Sequence, residues 1–138
     1  MKILAIETSC DDTAIALVDV KKVGQKITFN ILGNKANSQA KLHSEFGGVF
    51  PMKAKQEHIK NIQPLYEEVL REAKIKEGKI NAIAVTYGPG LEPSLWVGIT
   101  FAKELSEKLK IPIIPVNHME GHILSFLIQE KKDGKKGE

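Results

Sequence analysis

Residues 2–20 read KILAIETSCDDTAIALVDV, and this stretch decides the fold. Residues 2–7 and 13–20 are mainly apolar, and the polar turn 8–12 separates them. Short apolar runs on either side of a polar turn predict a hairpin of buried strands. Residues 26–32 then alternate apolar and polar side chains, the period of two that is typical of a half-buried strand. The domain is therefore expected to open with three strands.

The rest of the chain alternates predicted helices and strands. Residues 34–52 lack periodicity and contain two adjacent glycines, so they are predicted to form an irregular connection. The later elements are predicted as helices over 54–73, 93–109 and 117–129 and strands over 80–86 and 112–116. Strands joined through helices lie parallel, because the connection must cross over the sheet. The order βββαβαβα predicts an α/β fold, a ribonuclease-H-like lobe with a mixed sheet flanked by helices. The actin, sugar kinase and Hsp70 superfamily pairs two such lobes around a nucleotide cleft, an analogy that fixes no function.

Length and composition indicate one domain. The chain has 138 residues, of which 42% are hydrophobic, enough for one globular core and rarely for two. We assign residues 1–130 to the lobe. Residues 131–138 read KKDGKKGE and contain no apolar side chain, so we expect a flexible polar tail or the start of an interlobe linker.

Several classes of protein are disfavoured by the same features. No apolar run approaches the ~18 residues that a membrane span needs, and Glu7 interrupts the first run too early for a secretory signal. The single cysteine, Cys10, cannot form an internal disulfide, which favours a cytoplasmic location. Its neighbours Asp11 and Asp12 should raise the thiol pKa, so a cysteine nucleophile is not expected. A net charge of +3 does not by itself indicate nucleic-acid binding.

The motif NHMEGH at 117–122 carries two histidines at helical spacing. His118 and His122 lie four residues apart at the start of a predicted helix, so both rings can reach one divalent cation. Surface or core histidines are the alternative, and the spacing assigns no third ligand. The metallopeptidase pattern His-Glu-x-x-His needs glutamate directly after the first histidine, where this chain has Met119. Glu120 points away from the face that the two histidines share.

Two further polar or glycine-rich turns are candidates for anion binding. The turn ETSCDDT at 7–13 could hold a phosphate or a metal-bound phosphate, or it could be an ordinary hairpin turn. The turn Gly88-Pro89-Gly90 precedes a helix but lacks the lysine and the spacing of a P-loop, which favours a tight strand-to-helix turn. Gly98 is expected to allow close packing of its helix. His43 and His58 are expected to be solvated or hydrogen-bonded.

Four separated motifs together resemble the TsaD family, the tRNA N6-adenosine threonylcarbamoyltransferases, also known as glycoprotease or M22-like proteins. They cover nearly the whole chain in the right order. They are ILAIETSCDDT at 3–13, His43 with GGV at 47–49 and Pro51, VTYGPGL at 85–91, and VNHMEGH at 116–122.

The resemblance implies a function and its residues. His118 and His122 would bind iron or zinc, and the enzyme would move threonylcarbamoyl from its adenylate to N6 of the adenosine beside the anticodon. The metal would polarise the carbonyl and hold the donor. Asp11 and Asp12 lie on the turn that faces the interlobe cleft in this family, and one of them is expected to assist proton transfer from the attacking amine. Implied partners are threonylcarbamoyl-adenylate, tRNA, a TsaB-like paralogue and a TsaE-like ATPase, with no membrane.

The sequence departs from the family pattern in places. The family has glutamate at the position of Asp12, and Met52, Lys55 and Gln56 replace polar family residues after Pro51. Family members also have a second lobe with a Ser-Gly-Gly-His nucleotide motif and an aspartate metal ligand, and neither is expected within these 138 residues. The chain alone is therefore expected to be inactive.

Three other functions compete with the transferase. A TsaB-like scaffold lobe shares the fold but lacks the metal histidines, so His118 and His122 argue against it. A metallopeptidase is weakened by Met119. A sugar-kinase-like phosphotransferase lobe fits the fold but not the histidine pair.

Overall fold

The computed structural model describes residues 1–45 and 47–118. Five strands form one sheet within these ranges: β1 (Lys2–Glu7), β2 (Asp12–Val23), β3 (Lys26–Ser38), β4 (Ala82–Gly88) and β5 (Ile113–Asn117), in the order β3-β2-β1-β4-β5. Strand β2 is antiparallel to β1 and β3, whereas β4 is parallel to β1 and β5. The mixed α/β sheet that the sequence predicts is thus confirmed. The helices are α1 (Ala40–Glu45), α2 (Pro51–Ala73) and α3 (Glu92–Leu109), and a 3₁₀ turn lies at Glu77–Lys79.

One face of the sheet packs against α2 and α3 and forms the hydrophobic core. Alternation along β1 turns Leu4 and Ile6 toward the helices and leaves Ala5 and Glu7 on the opposite face. Burial of this apolar surface is the main stabilising term of the fold. Fully or nearly buried side chains on the core face are Leu4, Ile6, Ile15, Leu17, Ile83 and Val85 from the sheet, and Ile62, Leu65, Tyr66, Val69, Ala102 and Leu105 from the helices.

The opposite face of the sheet carries small side chains and a cavity. Its volume is about 290 Å³, and the walls include Ala5, Ala14, Ala16 and Ala84. At one end, where β1, β4 and β5 finish, the lining changes to Glu7, Thr86 and His118. Three polar residues of the cavity therefore cluster at the carboxyl ends of three parallel strands, whereas Asn34, which also lines the cavity, lies on β3.

The irregular connection predicted over residues 34–52 is mostly wrong. Strand β3 continues to Ser38 because its backbone pairs with β2 as far as Asp12, although the polar sequence there lacks strand alternation. Helices α1 and α2 occupy 40–45 and 51–52, and α2 starts with a proline in its first turn, where a missing N–H costs nothing. Tertiary pairing overrides the local pattern in this part of the chain.

Residues 119–138 lie outside the described residues. The helix predicted over 117–129 falls there except for its first two positions: Asn117 ends β5, and His118 is the last residue described. The tail predicted over 131–138 and the end of the lobe at 130 fall there as well. Within the described ranges, no helix is long and apolar enough to cross a membrane.

Candidate functional site

The candidate site lies where three parallel strands end. Glu7 is the last residue of β1, Thr86 lies near the end of β4, and His118 directly follows β5. Carboxyl ends of parallel strands meet at one edge of a sheet, and α/β proteins commonly bind ligands at that edge. The order β1-β4-β5 therefore brings together residues that are far apart in the sequence.

Glu7 and His118 form the centre of this site. The Nδ1 atom of His118 lies 3.1 Å from Oε2 of Glu7 and 3.0 Å from the hydroxyl oxygen of Ser9. The backbone N–H of Ser9 donates to Oε1 of Glu7 at 2.7 Å, and the hydroxyl of Thr86 donates to Oε2 at 2.5 Å. The Ser9 N–H, from the turn directly after β1, and the Thr86 hydroxyl, from β4, thus hold the carboxylate beside the imidazole.

Glu7 is a half-buried carboxylate that stays ionised. Burial acts to raise its pKa, but hydrogen bonds from Ser9, Thr86 and His118 outweigh burial, so the pKa lies below its usual value. Hydrogen bonds that donate to the charged form favour that form. A negative charge therefore stands against the histidine ring at neutral pH.

Hydrogen bonds to α3 hold the turn that follows β1 in place. The buried hydroxyl of Thr8 donates to the backbone oxygen of Ser94 at 2.7 Å and accepts from the N–H of Gly98 at 3.2 Å. A β-carbon at Gly98 would lie 2.6 Å from the Thr8 hydroxyl oxygen. Only glycine lets the helix approach this closely, which confirms the expected role of Gly98.

Gly90 has a similar role in the turn before α3. A β-carbon there would overlap backbone atoms of Ser9. The next residue, Leu91, donates its N–H to the backbone oxygen of Ser9 at 2.7 Å. The sequence Gly-Pro-Gly thus forms the tight strand-to-helix turn that its sequence favours, and it supports the loop that carries Ser9.

His58 holds the same loop from α2. Its ring is fully buried, with Nε2 2.9 Å from the backbone oxygen of Cys10 and Nδ1 2.7 Å from the hydroxyl of Thr13. Because a carbonyl oxygen can only accept, Nε2 carries the proton and Nδ1 accepts from Thr13. Of the two states expected for these histidines, solvated or hydrogen-bonded, His58 adopts the hydrogen-bonded one. His43 does the same: it is buried, and its Nε2 lies 2.7 Å from Oε1 of Gln39.

The stability of the protein should fall at mildly acidic pH because of His58. Burial lowers the pKa of His58, and it outweighs the opposing influence of the Cys10 carbonyl and the nearby carboxylates. Below about pH 6.5, where a histidine in the unfolded chain binds a proton, the folded state binds fewer protons, so stability decreases as pH falls toward the folded pKa. Urea unfolding at pH 7.5 and 5.5 measures this decrease, and His58→Gln should make it smaller. An unchanged pH dependence in the variant would contradict the assignment.

Of the predicted catalytic residues, Asp11 lies on the same loop and Asp12 is the first residue of β2. Asp11 is half-buried and Asp12 is exposed. Among the described residues that line the cavity at His118, neither aspartate is found. Burial and the charges of Asp11 and Asp12 raise the pKa of the Cys10 thiol, in agreement with the expectation that Cys10 is not a nucleophile. The roles of Asp11 and Asp12 remain predictions.

The described residues fit one part of a metal site. Over residues 1–45 and 47–118, no group of three or more His, Cys, Asp or Glu side chains is placed to hold a metal ion. His118 supplies one imidazole, and its Nδ1 faces the Glu7 carboxylate. A carboxylate beside one ring nitrogen is typical of histidines that bind metals through the other. His122, the other predicted ligand, lies outside the described residues. Imidazole is a ligand for several divalent transition metals, among them zinc and iron.

The residues that hold His118 are not evident from the motifs. Glu7 and Thr86 are polar residues at the ends of buried strands, and the prediction that the later strands run parallel is the available signal for their approach. Ser9 contributes both a hydroxyl and a backbone N–H from a turn whose sequence suggests only a phosphate site or an ordinary hairpin. Their convergence depends on the strand order.

The fold and the site together define an α/β protein with a ribonuclease-H-like lobe. The chain resembles YeaZ from Pseudomonas aeruginosa with a TM-score of 0.56 and 19% identity, over 84% of this chain and 43% of that one. It resembles RuvC from Thermus thermophilus with a TM-score of 0.53 and 14% identity, over 85% and 62%. At such low identities the likenesses bear on the fold alone.

Sequence comparison gives the family. The sequence model of the TsaD family, tRNA N6-adenosine threonylcarbamoyltransferase, matches residues 30–136. Curated relatives with that name are 47% identical over 133 residues in Persephonella marina and 46% identical over 132 residues in Wigglesworthia glossinidia brevipalpis. This chain belongs to the TsaD family. Each of these matches covers 96% of the chain, which spans 37% of the relative's length.

Proposed function

We propose that this chain is the N-terminal lobe of a tRNA-modifying threonylcarbamoyltransferase. The enzyme would transfer threonylcarbamoyl from its adenylate to N6 of the adenosine next to the anticodon, position 37. One observation carries the proposal: in a chain of the TsaD family, the first histidine of the NHMEGH motif lies at a strand end with its Nδ1 beside the Glu7 carboxylate. The names of the relatives support the reaction class.

His118 and His122 would hold a divalent metal, iron or zinc. Further ligands and the nucleotide motif are expected in a second lobe, because the relatives are much longer than this chain. When bound, the metal supplies Lewis-acid polarisation of the donor's carbonyl. Glu7 would fix the orientation of the His118 ring. One of Asp11 and Asp12 would take the proton that the attacking amine loses, and the exposure of Asp12 is compatible with access to substrate.

The proposal extends to partners and location. Threonylcarbamoyl-adenylate and tRNA are the proposed substrates, and a TsaB-like paralogue and a TsaE-like ATPase are proposed partners. We expect the protein to act in the cytoplasm, where tRNA is found and where a single unpaired cysteine would stay reduced.

Metal analysis tests the proposal. A full-length protein with both lobes should contain about one iron or zinc per chain, because two imidazoles and an acidic ligand favour such ions. Combined His118→Ala and His122→Ala should abolish both the metal content and transfer to tRNA. The control is His43→Gln, which alters a histidine bonded to Gln39 rather than to the site and should keep the metal.

Two outcomes would contradict the proposed site. Unchanged metal content after loss of both histidines would remove them as ligands. Tight stoichiometric zinc binding by residues 1–138 alone would show that no second lobe is needed to complete the site. Elemental analysis by mass spectrometry after dialysis distinguishes both from the expected result.

A further inference from the structure

We propose that Glu7 is the positioning residue that sets the tautomer of His118, with the ring proton on Nδ1, so that Nε2 is the nitrogen presented to a metal. The tautomer of His118 is inferred from hydrogen bonds within the described residues. The presentation of Nε2 to a metal rests on the proposed function. Glu7 belongs to neither the histidine motif nor the acidic residues predicted to be catalytic.

The Glu7 carboxylate is held so that its two oxygens are not equivalent. Oε1 accepts from the backbone N–H of Ser9 at 2.7 Å, and Oε2 accepts from the Thr86 hydroxyl at 2.5 Å. A backbone N–H can only donate, so whatever atom occupies the Oε1 position must be an acceptor. The remaining capacity of Oε2 is directed at His118, 3.1 Å away.

The carboxylate determines which ring nitrogen carries the proton. An ionised carboxylate can only accept, so the contact with Nδ1 of His118 is favourable only when Nδ1 bears hydrogen. Ser9 does not impose this choice, because its hydroxyl, 3.0 Å from the same nitrogen, can either donate or accept. The side chains of Glu7 and His118 are only 33% and 27% exposed, and partial exclusion of water strengthens such a charged hydrogen bond.

The tautomer has a consequence for metal binding. A neutral imidazole binds a cation through the nitrogen that lacks the proton. With the proton held on Nδ1 by Glu7, that nitrogen is Nε2. Carboxylates that orient metal-binding histidines in this way also raise their basicity.

The variant Glu7→Gln gives an opposite prediction for the tautomer. The glutamine oxygen must remain on the Ser9 N–H, so the NH₂ group faces Thr86 and His118. Thr86 can rotate its hydroxyl to accept, and Nδ1 of His118 must then accept as well. The ring proton should move to Nε2.

Nitrogen NMR of the metal-free chain with labelled histidine measures the tautomer directly. The spectra are recorded over a range of alkaline pH, and the nitrogen shifts distinguish the two neutral tautomers from the protonated ring. We expect mainly the Nδ1-protonated form in the wild type and a change of at least about tenfold in the tautomer ratio in E7Q, the size expected for loss of a hydrogen bond to a charged group. The matched control is Ser9→Ala, which removes the contact of the Ser9 hydroxyl with Nδ1 but keeps the backbone N–H, and it should retain the wild-type tautomer.

Three results would overturn the inference: mainly Nε2 protonation in the wild type, an unchanged tautomer in E7Q, or a reversed tautomer in Ser9→Ala. The wild-type measurement needs no substitution, so it decides even where a variant fails to fold.

A metal measurement separates this inference from the proposed function. In the full-length protein, E7Q should weaken Zn²⁺ binding by about 10- to 100-fold, and Ser9→Ala should weaken it less. If the wild type binds no metal but shows the Nδ1-protonated ring that E7Q reverses, the positioning role of Glu7 stands and the metal function fails.

Discussion

Replacing His58 by alanine should lower the free energy of unfolding by about 3 kcal/mol. The ring is 0% exposed, so its loss leaves a cavity beneath the loop between β1 and β2. It also removes the ring nitrogen that pairs with the fully buried Thr13 hydroxyl and the donor to the Cys10 carbonyl. Cavity formation and buried polar groups without partners both add to the loss.

A control from the same helix isolates these effects. Ile59 follows His58 on α2 and is 55% exposed, so Ile59→Ala should change stability by less than about 1 kcal/mol. Urea unfolding followed by circular dichroism measures both variants. Equal stability losses at the two positions would show that the His58 hydrogen bonds do not hold the loop.

Gly90→Ala should destabilise the fold by about 2 kcal/mol. The added β-carbon would overlap the carbonyl and β-carbon of Ser9, and backbone atoms cannot move aside as a flexible side-chain end can. The bond from the Leu91 N–H to the Ser9 oxygen, 2.7 Å long, would be strained at the same time. Because Ser9 contacts His118, the substitution should also shift the NMR signals of the His118 ring.

Gly78 provides the matched control for Gly90. A β-carbon there meets nothing within 4 Å, so Gly78→Ala should leave stability within about 0.5 kcal/mol or raise it slightly. Thermal unfolding of the two variants compares them directly. Equal stability of Gly90→Ala and Gly78→Ala would contradict the close contact between the glycine turn and Ser9.

Both substitutions act on one structural unit, the loop between β1 and β2. His58 contacts Cys10 in the loop and Thr13 at the start of β2, and the glycine turn supports the loop at Ser9. This loop carries the Ser9 N–H that anchors Glu7, and Glu7 faces His118. Support of this kind restricts the orientation of the Glu7 carboxylate and, through it, of the His118 ring. The residues around His118 therefore form a connected network rather than isolated contacts.

The sequence by itself determined the fold class, the family and the histidine motif. Apolar runs at residues 2–7 and 13–20 on either side of a polar turn predict the opening hairpin, because such a pattern depends only on neighbouring residues. The motifs of the TsaD family are likewise local strings. The strand at residues 34–38 cannot be predicted in this way, because it forms by pairing with β2 and its own sequence lacks the strand pattern.

Only the tertiary structure decided which polar residues meet His118. Glu7 lies 79 residues from Thr86 and 111 residues from His118 along the chain, and no periodicity links positions so far apart. They meet because β1 pairs with β4, and β4 with β5, so the carboxyl ends of all three strands share one edge. The histidine motif is evident from the sequence, whereas the strand order determines that the Glu7 carboxylate lies beside the His118 ring.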